Sequence, residues 1–276
     1  MTHKALNKLI PNYLILTLFL LVIIIPIIGL VMSSFKTDIE VIEGPLSFPS
    51  TLRFNYYKEA WTTGRFSLFF RNSVIVAVSV VLVSVFLSTL TGYAFGLLPV
   101  PGQKILYPIL LIGYMIPFEA VVIPLYHFMN KLGMTNTYWA LILPQIGLSV
   151  SFGTLWMTTF FRNAPKDLID AAIIDGCNRW DTLWKILWPI AKPATMTLIV
   201  LVFMWTWNEF LLALVLVQEE SMRTLPVGLA FFQGRYSANI PLMASGALIV
   251  AGPILIIYMM FQRHFIRGML GGAVKG

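Results

Sequence analysis

Charge is scarce in this sequence: 11% of its 276 residues are Asp, Glu, Lys or Arg, against 58% hydrophobic. Soluble domains carry about 25% charged residues, so this chain has too little polar surface to cover its apolar content in water. Cysteine occurs once, as Cys177, which excludes a disulfide within the chain. The three histidines, His3, His127 and His264, are too scattered for metal-ligand spacing. No Gly-x-x-x-x-Gly-Lys-Ser/Thr run is present, so the chain has no phosphate-cradling loop of that type and no ATP site of its own by this criterion. It shows no sequence cluster of nucleophile and base, which argues against a membrane-embedded enzyme. The net charge of +7 lacks the interleaved basic and aromatic residues of a nucleic-acid surface.

Long apolar runs are what the sequence has instead. Crossing a bilayer takes about 20 residues of helix. Residues 13–33, 72–97, 105–130, 138–161, 193–217 and 238–262 meet that length, which predicts an all-α integral membrane protein with six transmembrane helices. Four of the six lie in charge-free stretches, and the other two hold one acid each, Glu119 and Glu209. Residues 1–12 are read as the N-terminus, 34–71 and 218–237 as loops on one side, 162–192 as a long loop on the other, and 263–276 as the tail. The first span follows Lys4 and Lys8 but is too long for a signal peptide and lacks a small-residue cleavage site, so it is expected to be an uncleaved anchor. Lys and Arg are biased toward the ends and the 162–192 loop, and five of the eight on the opposite side lie in the long 34–71 loop, where charge orients weakly. Both termini and the 162–192 loop are therefore expected in the cytoplasm.

The 162–192 loop is long for a connection and has its own helical signals. Pro165 and Asp167 suit a helix start. Ile169, Ala172, Ile173 and Gly176 recur at helical spacing as a narrow, small-sided face open to another backbone. Asn178 with Asp181 can cap a second helix whose stripe is Trp180, Leu183, Trp184 and Leu187, with Pro189 expected to end it. Two amphipathic helices lying in the headgroup region would account for the Trp stripe, but not for the bulk-free residues Ala171, Ala172 and Gly176.

Asp170-Ala-Ala-Ile-Ile-Asp-Gly176 followed by Ile186-Leu-Trp-Pro189 resembles the coupling loop of ABC importer permeases, Glu-Ala-Ala, three residues, Gly, nine residues, Ile, one residue, Leu-Pro. Asp170 replaces the Glu and Trp188 the Leu, departures that bear on the depth and angle of docking. Ser33-Ser-Phe-Lys36, Asn72-Ser73, Trp207-Asn-Glu-Phe210, Phe261-Gln-Arg-His-Phe-Ile-Arg-Gly268 and Gly271-Gly-Ala-Val-Lys-Gly276 extend the resemblance over essentially the whole chain. Their order is similar to the smaller permease subunit of maltose-like carbohydrate importers, with a type-1 transmembrane domain over about residues 70–262.

The resemblance implies a second, homologous permease as heterodimer partner, an ATPase dimer holding ATP and Mg on the cytoplasmic face, and an extracytoplasmic sugar-binding protein facing residues 218–240. It implies ATPase coupling by Asp170, Ala171, Ala172, Asp175, Gly176, Ile186 and Pro189, and a tail interface at Val274, Lys275 and Gly276.

An acid within a span is costly if it meets lipid, so Glu119 and Glu209 should face a cavity or another helix. Glu119 lies between Pro117 and Pro124, where a kink is expected and the acid can equally satisfy freed backbone groups. Glu209, Asn208, Trp205 and Trp207 offer the polar and aromatic surface that a sugar path uses. An ion-coupled transporter or channel using Glu119 and Glu209 is the rival reading. Gly92, Gly96, Gly113, Gly246 and Gly252 are read as close helix-packing points.

Overall fold

The structure is a computed structural model that describes residues 3–44, 46–236 and 239–273. Helices fill most of it: α1 (His3–Ser33), α2 (Asp38–Glu43), α3 (Asn55–Thr63), α4 (Phe66–Leu97), α5 (Gln103–Met115), α6 (Phe118–Lys131), α7 (Tyr138–Arg162) and α8 (Lys166–Ile174). After these come α9 (Arg179–Asn208), which includes a π turn at Thr182–Leu187, then α10 (Leu211–Leu216), α11 (Leu225–Tyr236) and α12 (Ile240–Ala273). No strand occurs among the described residues. Five stretches, Pro11–Ser33, Phe66–Leu97, Tyr138–Arg162, Arg179–Asn208 and Ile240–Arg263, are long and apolar enough to cross a membrane. The pair α5 and α6 would make a sixth, bent by 96°.

Two of the six expected spans are not continuous helices. Between α5 and α6, Ile116 is extended at ψ 124° because the ring of Pro117 disfavours helical geometry in the residue before it. The expected kink near Glu119 is thus a full break. The span expected at 193–217 starts within a longer helix and stops at Asn208, where Glu209 turns extended at ψ 115°. Its carboxylate accepts the Leu212 N–H at 2.8 Å, supplying the next short helix with a terminal hydrogen bond.

The chain divides into two compact parts, Met1–Ser67 with Gly228–Gly252 and Leu68–Val227 with Pro253–Gly276. In the first, the Ser33-Ser-Phe-Lys36 motif folds the loop after α1. Lys36 is fully buried and its ammonium donates to Gly44 O at 2.6 Å and Ser47 Oγ at 3.1 Å. A buried cation needs such partners. Ser34 Oγ shares a 2.8 Å hydrogen bond with the Tyr57 hydroxyl, and the Phe35 ring meets Phe54 edge-on at 5.2 Å. Thr37 and Glu40 form a capping box at the start of α2, and hydrogen bonds from Ser50 and Thr37 hold the Glu40 carboxyl down to about 2.

The second part has its core between α4, α7 and α9, where Val80, Leu141, Met157, Phe161, Leu187 and Leu198 pack together. Asn72 fixes one end, its amide donating to the Ser221 and Arg223 carbonyls at 2.9 Å and accepting from the Tyr138 hydroxyl at 2.7 Å.

Small residues set how closely these helices approach. A Cβ on Gly92 would lie 2.9 Å from the Met157 carbonyl carbon and 3.0 Å from the Thr158 nitrogen, and one on Gly96 would meet Phe161 Cβ at 3.0 Å. Gly246 is similarly enclosed, 3.2 Å from the Phe66 ring. Gly113 and Gly252 meet nothing within 4 Å among the described residues, so the close packing expected there is not made within this part of the chain. Gly92→Leu drives a side chain into backbone that cannot yield, and the expected cost is about 3 kcal/mol, the upper end of overpacking. A thermal unfolding midpoint in detergent equal to that of the unsubstituted protein would contradict this packing.

Candidate functional site

The segment leaving α7 makes an elbow of two helical pieces. Pro165 precedes α8 and Asp167 lies in its first turn, where a carboxylate suits the positive end of the helix dipole. Gly176 ends the helix with φ +79°, a conformation that favours glycine. The Gly176 N–H donates to Ile173 O at 3.0 Å and the Cys177 N–H to Ala172 O at 2.9 Å, the paired bonds of a Schellman cap. Gly176 is therefore needed for the turn itself, a role that the small-face reading did not include.

Asn178 starts the second piece. Its Oδ1 accepts the N–H groups of Trp180 and Asp181, both at 2.9 Å, as the capping pattern predicts. The helix then runs through Pro189 to Asn208 instead of ending at the proline. Pro189 has no N–H to give Lys185 O; a π turn precedes it, with the Trp188 N–H on Leu183 O five residues back. The elbow's second arm is thus continuous with a candidate membrane span.

The two faces of the elbow differ in what they touch. α8 packs on the π turn, and Ala172, Thr182, Leu183 and Leu187 are buried there. Ala172 is 4% exposed, so it belongs to the inward face and not to the open surface expected for it. Asp170, Ala171, Asp175 and Gly176 are exposed, Ile174 is 84% exposed, and Ile173 stands beside it. Ile186 is half-buried and Pro189 exposed on the second arm. Val274, Lys275 and Gly276 lie outside the described residues.

Aromatic contacts fasten the inward side. Trp180, Trp184 and Trp188 form a ladder with ring centroids 5.7 and 5.9 Å apart, and Phe86 of α4 stacks on Trp184 at 6.2 Å. The Tyr93 hydroxyl, also on α4, donates to Arg179 O at 3.0 Å. These contacts tie the elbow to α4 and α9.

A cavity of about 640 Å³ lies where the two broken helices meet α7. Glu119 and Glu209, which the sequence singled out, line it together, with Asn208, Trp205, Gln145 and Tyr114. Gln145 and Tyr114 carried no signal in the sequence, since neither is charged and their neighbours are apolar. Asn208 Nδ2 bonds back to Met204 O at 2.8 Å, and Trp205 stands edge-on to Phe152 at 4.8 Å while remaining 44% exposed. Trp207 does not join them. It is 2% exposed, stacked on Phe203 at 5.4 Å and edge-on to Phe70 at 5.7 Å, and so belongs to the core. Carboxylates, amides and one indole around an open cavity suit recognition of hydroxyl groups. Among the described residues no three His, Cys, Asp or Glu side chains are grouped as a metal site.

Residues 88–271 match the family described as binding-protein-dependent transport system inner membrane component. The arabinooligosaccharides transport system permease protein AraQ of Halalkalibacterium halodurans is 34% identical over 92% of this chain and 91% of its own length. The trehalose/maltose transport system permease protein MalG of Thermococcus litoralis is also 34% identical, over 94% of each chain. In three dimensions the chain resembles one from the crystal structure of a bacterial ABC transporter involved in the import of the acidic polysaccharide alginate. That match has a TM-score of 0.78 at 24% identity and covers 96% of this chain and 99% of the other, a likeness of fold. None of these matches favours an ion-coupled carrier. This chain belongs to the binding-protein-dependent transport system inner membrane components, the multi-pass permease subunits of ATP-binding-cassette importers, and is a transport component rather than an enzyme.

Proposed function

We propose that this permease carries an oligosaccharide, with a second homologous permease as its heterodimer partner, and that residues 166–189 dock into a cleft on an ATPase dimer that holds ATP and Mg. The observation that carries the reading is the asymmetry of the elbow. Its tip at Ala171, Ile174 and Asp175 is exposed, while Ala172, Leu183 and Leu187 anchor its other face. A rigid arm of that kind turns closure of the ATPase dimer into rotation of the helices continuous with it.

Asp170, Ala171, Asp175 and Gly176 would meet the cleft, Ile186 and Pro189 would flank it, and Ala172 would brace the arm from within. The tail residues Val274, Lys275 and Gly276 would reach the same ATPase. Both termini then lie in the cytoplasm, and the 218–237 loop faces a sugar-binding protein on the other side. Arabinooligosaccharides and trehalose/maltose in the names of the relatives support an oligosaccharide cargo. The cavity at Glu119, Asn208 and Glu209 is its path.

The test is uptake into proteoliposomes that hold the whole transporter, with labelled arabino- and malto-oligosaccharides offered on the cognate binding protein. Uptake is expected to stop without internal ATP and Mg and to persist when ion gradients are collapsed. Uptake that follows the ion gradient and ignores ATP overturns the reading.

A further inference from the structure

A second cavity, of about 810 Å³, lies at the elbow end of the bundle, where α4 turns into α5. Its lining includes Lys104 and Arg162, with Gln103 and Tyr107, and contains no Asp or Glu. Pro99, Pro101 and Pro108 stiffen its wall. Arg162 is held in place: its guanidinium lies 5.2 Å over the Tyr107 ring, and Nη2 donates to Phe95 O at 3.4 Å. Gln103 Nε2 donates to the same carbonyl at 2.7 Å. A guanidinium has five N–H donors, so this anchoring leaves most of its fork for a ligand. Lys104 is exposed beside it.

The surface next to these cations is apolar. α5 has no buried residue, and Ile105, Leu106, Ile109 and Ile112 lie exposed along it from the first turn onward. Two positive groups at the root of an exposed apolar stripe match one amphiphile, an anionic head with acyl chains. An acidic protein surface or free phosphate would use the cations alone, whereas an anionic lipid uses the cations and the adjoining isoleucine stripe together.

We propose that Lys104 and Arg162 bind the phosphate of an anionic phospholipid, such as phosphatidylglycerol, whose chains follow α5. Arg presents paired donors to phosphate, and Lys adds a point charge. Arg162 ends α7 and Lys166 begins α8, so the lipid sits at the root of the elbow.

Native mass spectrometry of the intact transporter checks this with phosphatidylglycerol and phosphatidylethanolamine as probes. The unsubstituted complex is expected to retain phosphatidylglycerol about tenfold over phosphatidylethanolamine, as two interfacial cations allow, and Lys104→Gln with Arg162→Gln should bring the ratio below about 3. The charge-conserving pair Lys104→Arg with Arg162→Lys should keep most of the preference, which separates loss of charge from loss of fold. Equal retention by all three proteins overturns the site. Complete displacement of the lipid by millimolar inorganic phosphate overturns the lipid assignment. So does loss of the ATPase or the second permease from the Gln pair with lipid retention unchanged, since the cations would then be a protein contact.

Discussion

Ala171→Trp and Ile174→Asp are each expected to leave the permease inserted and to strip the ATPase from it. Ile174 is 84% exposed, at the end of a helix whose opposite face is packed on the π turn. An Ile buried in a partner's cleft contributes about 1.5–3 kcal/mol through apolar area alone. Replacing it with Asp removes that contribution and leaves a carboxylate to be desolvated, so affinity should fall by about 100-fold or more. Ala171→Trp acts by bulk on the same face. Co-purification of the ATPase through a tag on the permease reads both changes, and uptake should fall in parallel. Undiminished recovery of the ATPase from both variants would mean that the tip is not the docked surface. Gly176 is a poor place for this test: any side chain there is strained at φ +79°, so Gly176→Trp would disturb the turn as well as the surface.

How far the elbow was legible in the sequence depends on the kind of signal. Caps are local chemistry, and Asn178 bonded to the N–H groups of Trp180 and Asp181 follows from residue type and spacing. Which face of a short helix turns inward is decided by tertiary packing. Ala171 and Ala172 are adjacent and alike, yet the first is exposed and the second buried against the π turn. Successive helical residues stand about 100° apart, and nothing in the two alanines says which one the core claims. The same geometry separates Trp205 from Trp207. Residues two apart on a helix point to nearly opposite sides, so one faces the cavity and the other fills the core. The break at Pro117 was anticipated as a kink because proline acts locally. The stop at Asn208 was not, because no proline or glycine marks it; Glu209 turns extended there and its carboxylate serves the start of the next helix. Pro189 misled in the other direction: a proline next to a π turn continues a helix that ordinary rules would end.

The dual position of Glu209, as a cap and as a cavity wall, makes its replacements informative. Its carboxylate accepts the Leu212 N–H at 2.8 Å while the residue lines the cavity with Glu119. Glu209→Ala removes the acceptor and leaves a backbone donor unmet at a helix start, a loss of about 1–3 kcal/mol where the group is buried. The α9–α10 break then loses its fixed angle, and the cavity wall with it. Uptake by Glu209→Ala should fall by about tenfold or more while the ATPase still co-purifies, because the elbow lies at the other end of α9. Glu209→Gln keeps an acceptor oxygen and discards the charge, so it should transport at a rate between the two. Equal uptake by Glu209→Ala and the unsubstituted protein would take this residue out of the path. Equal loss from the Gln and Ala variants would assign the effect to the negative charge facing the cargo, and the difference between them measures what the cap contributes.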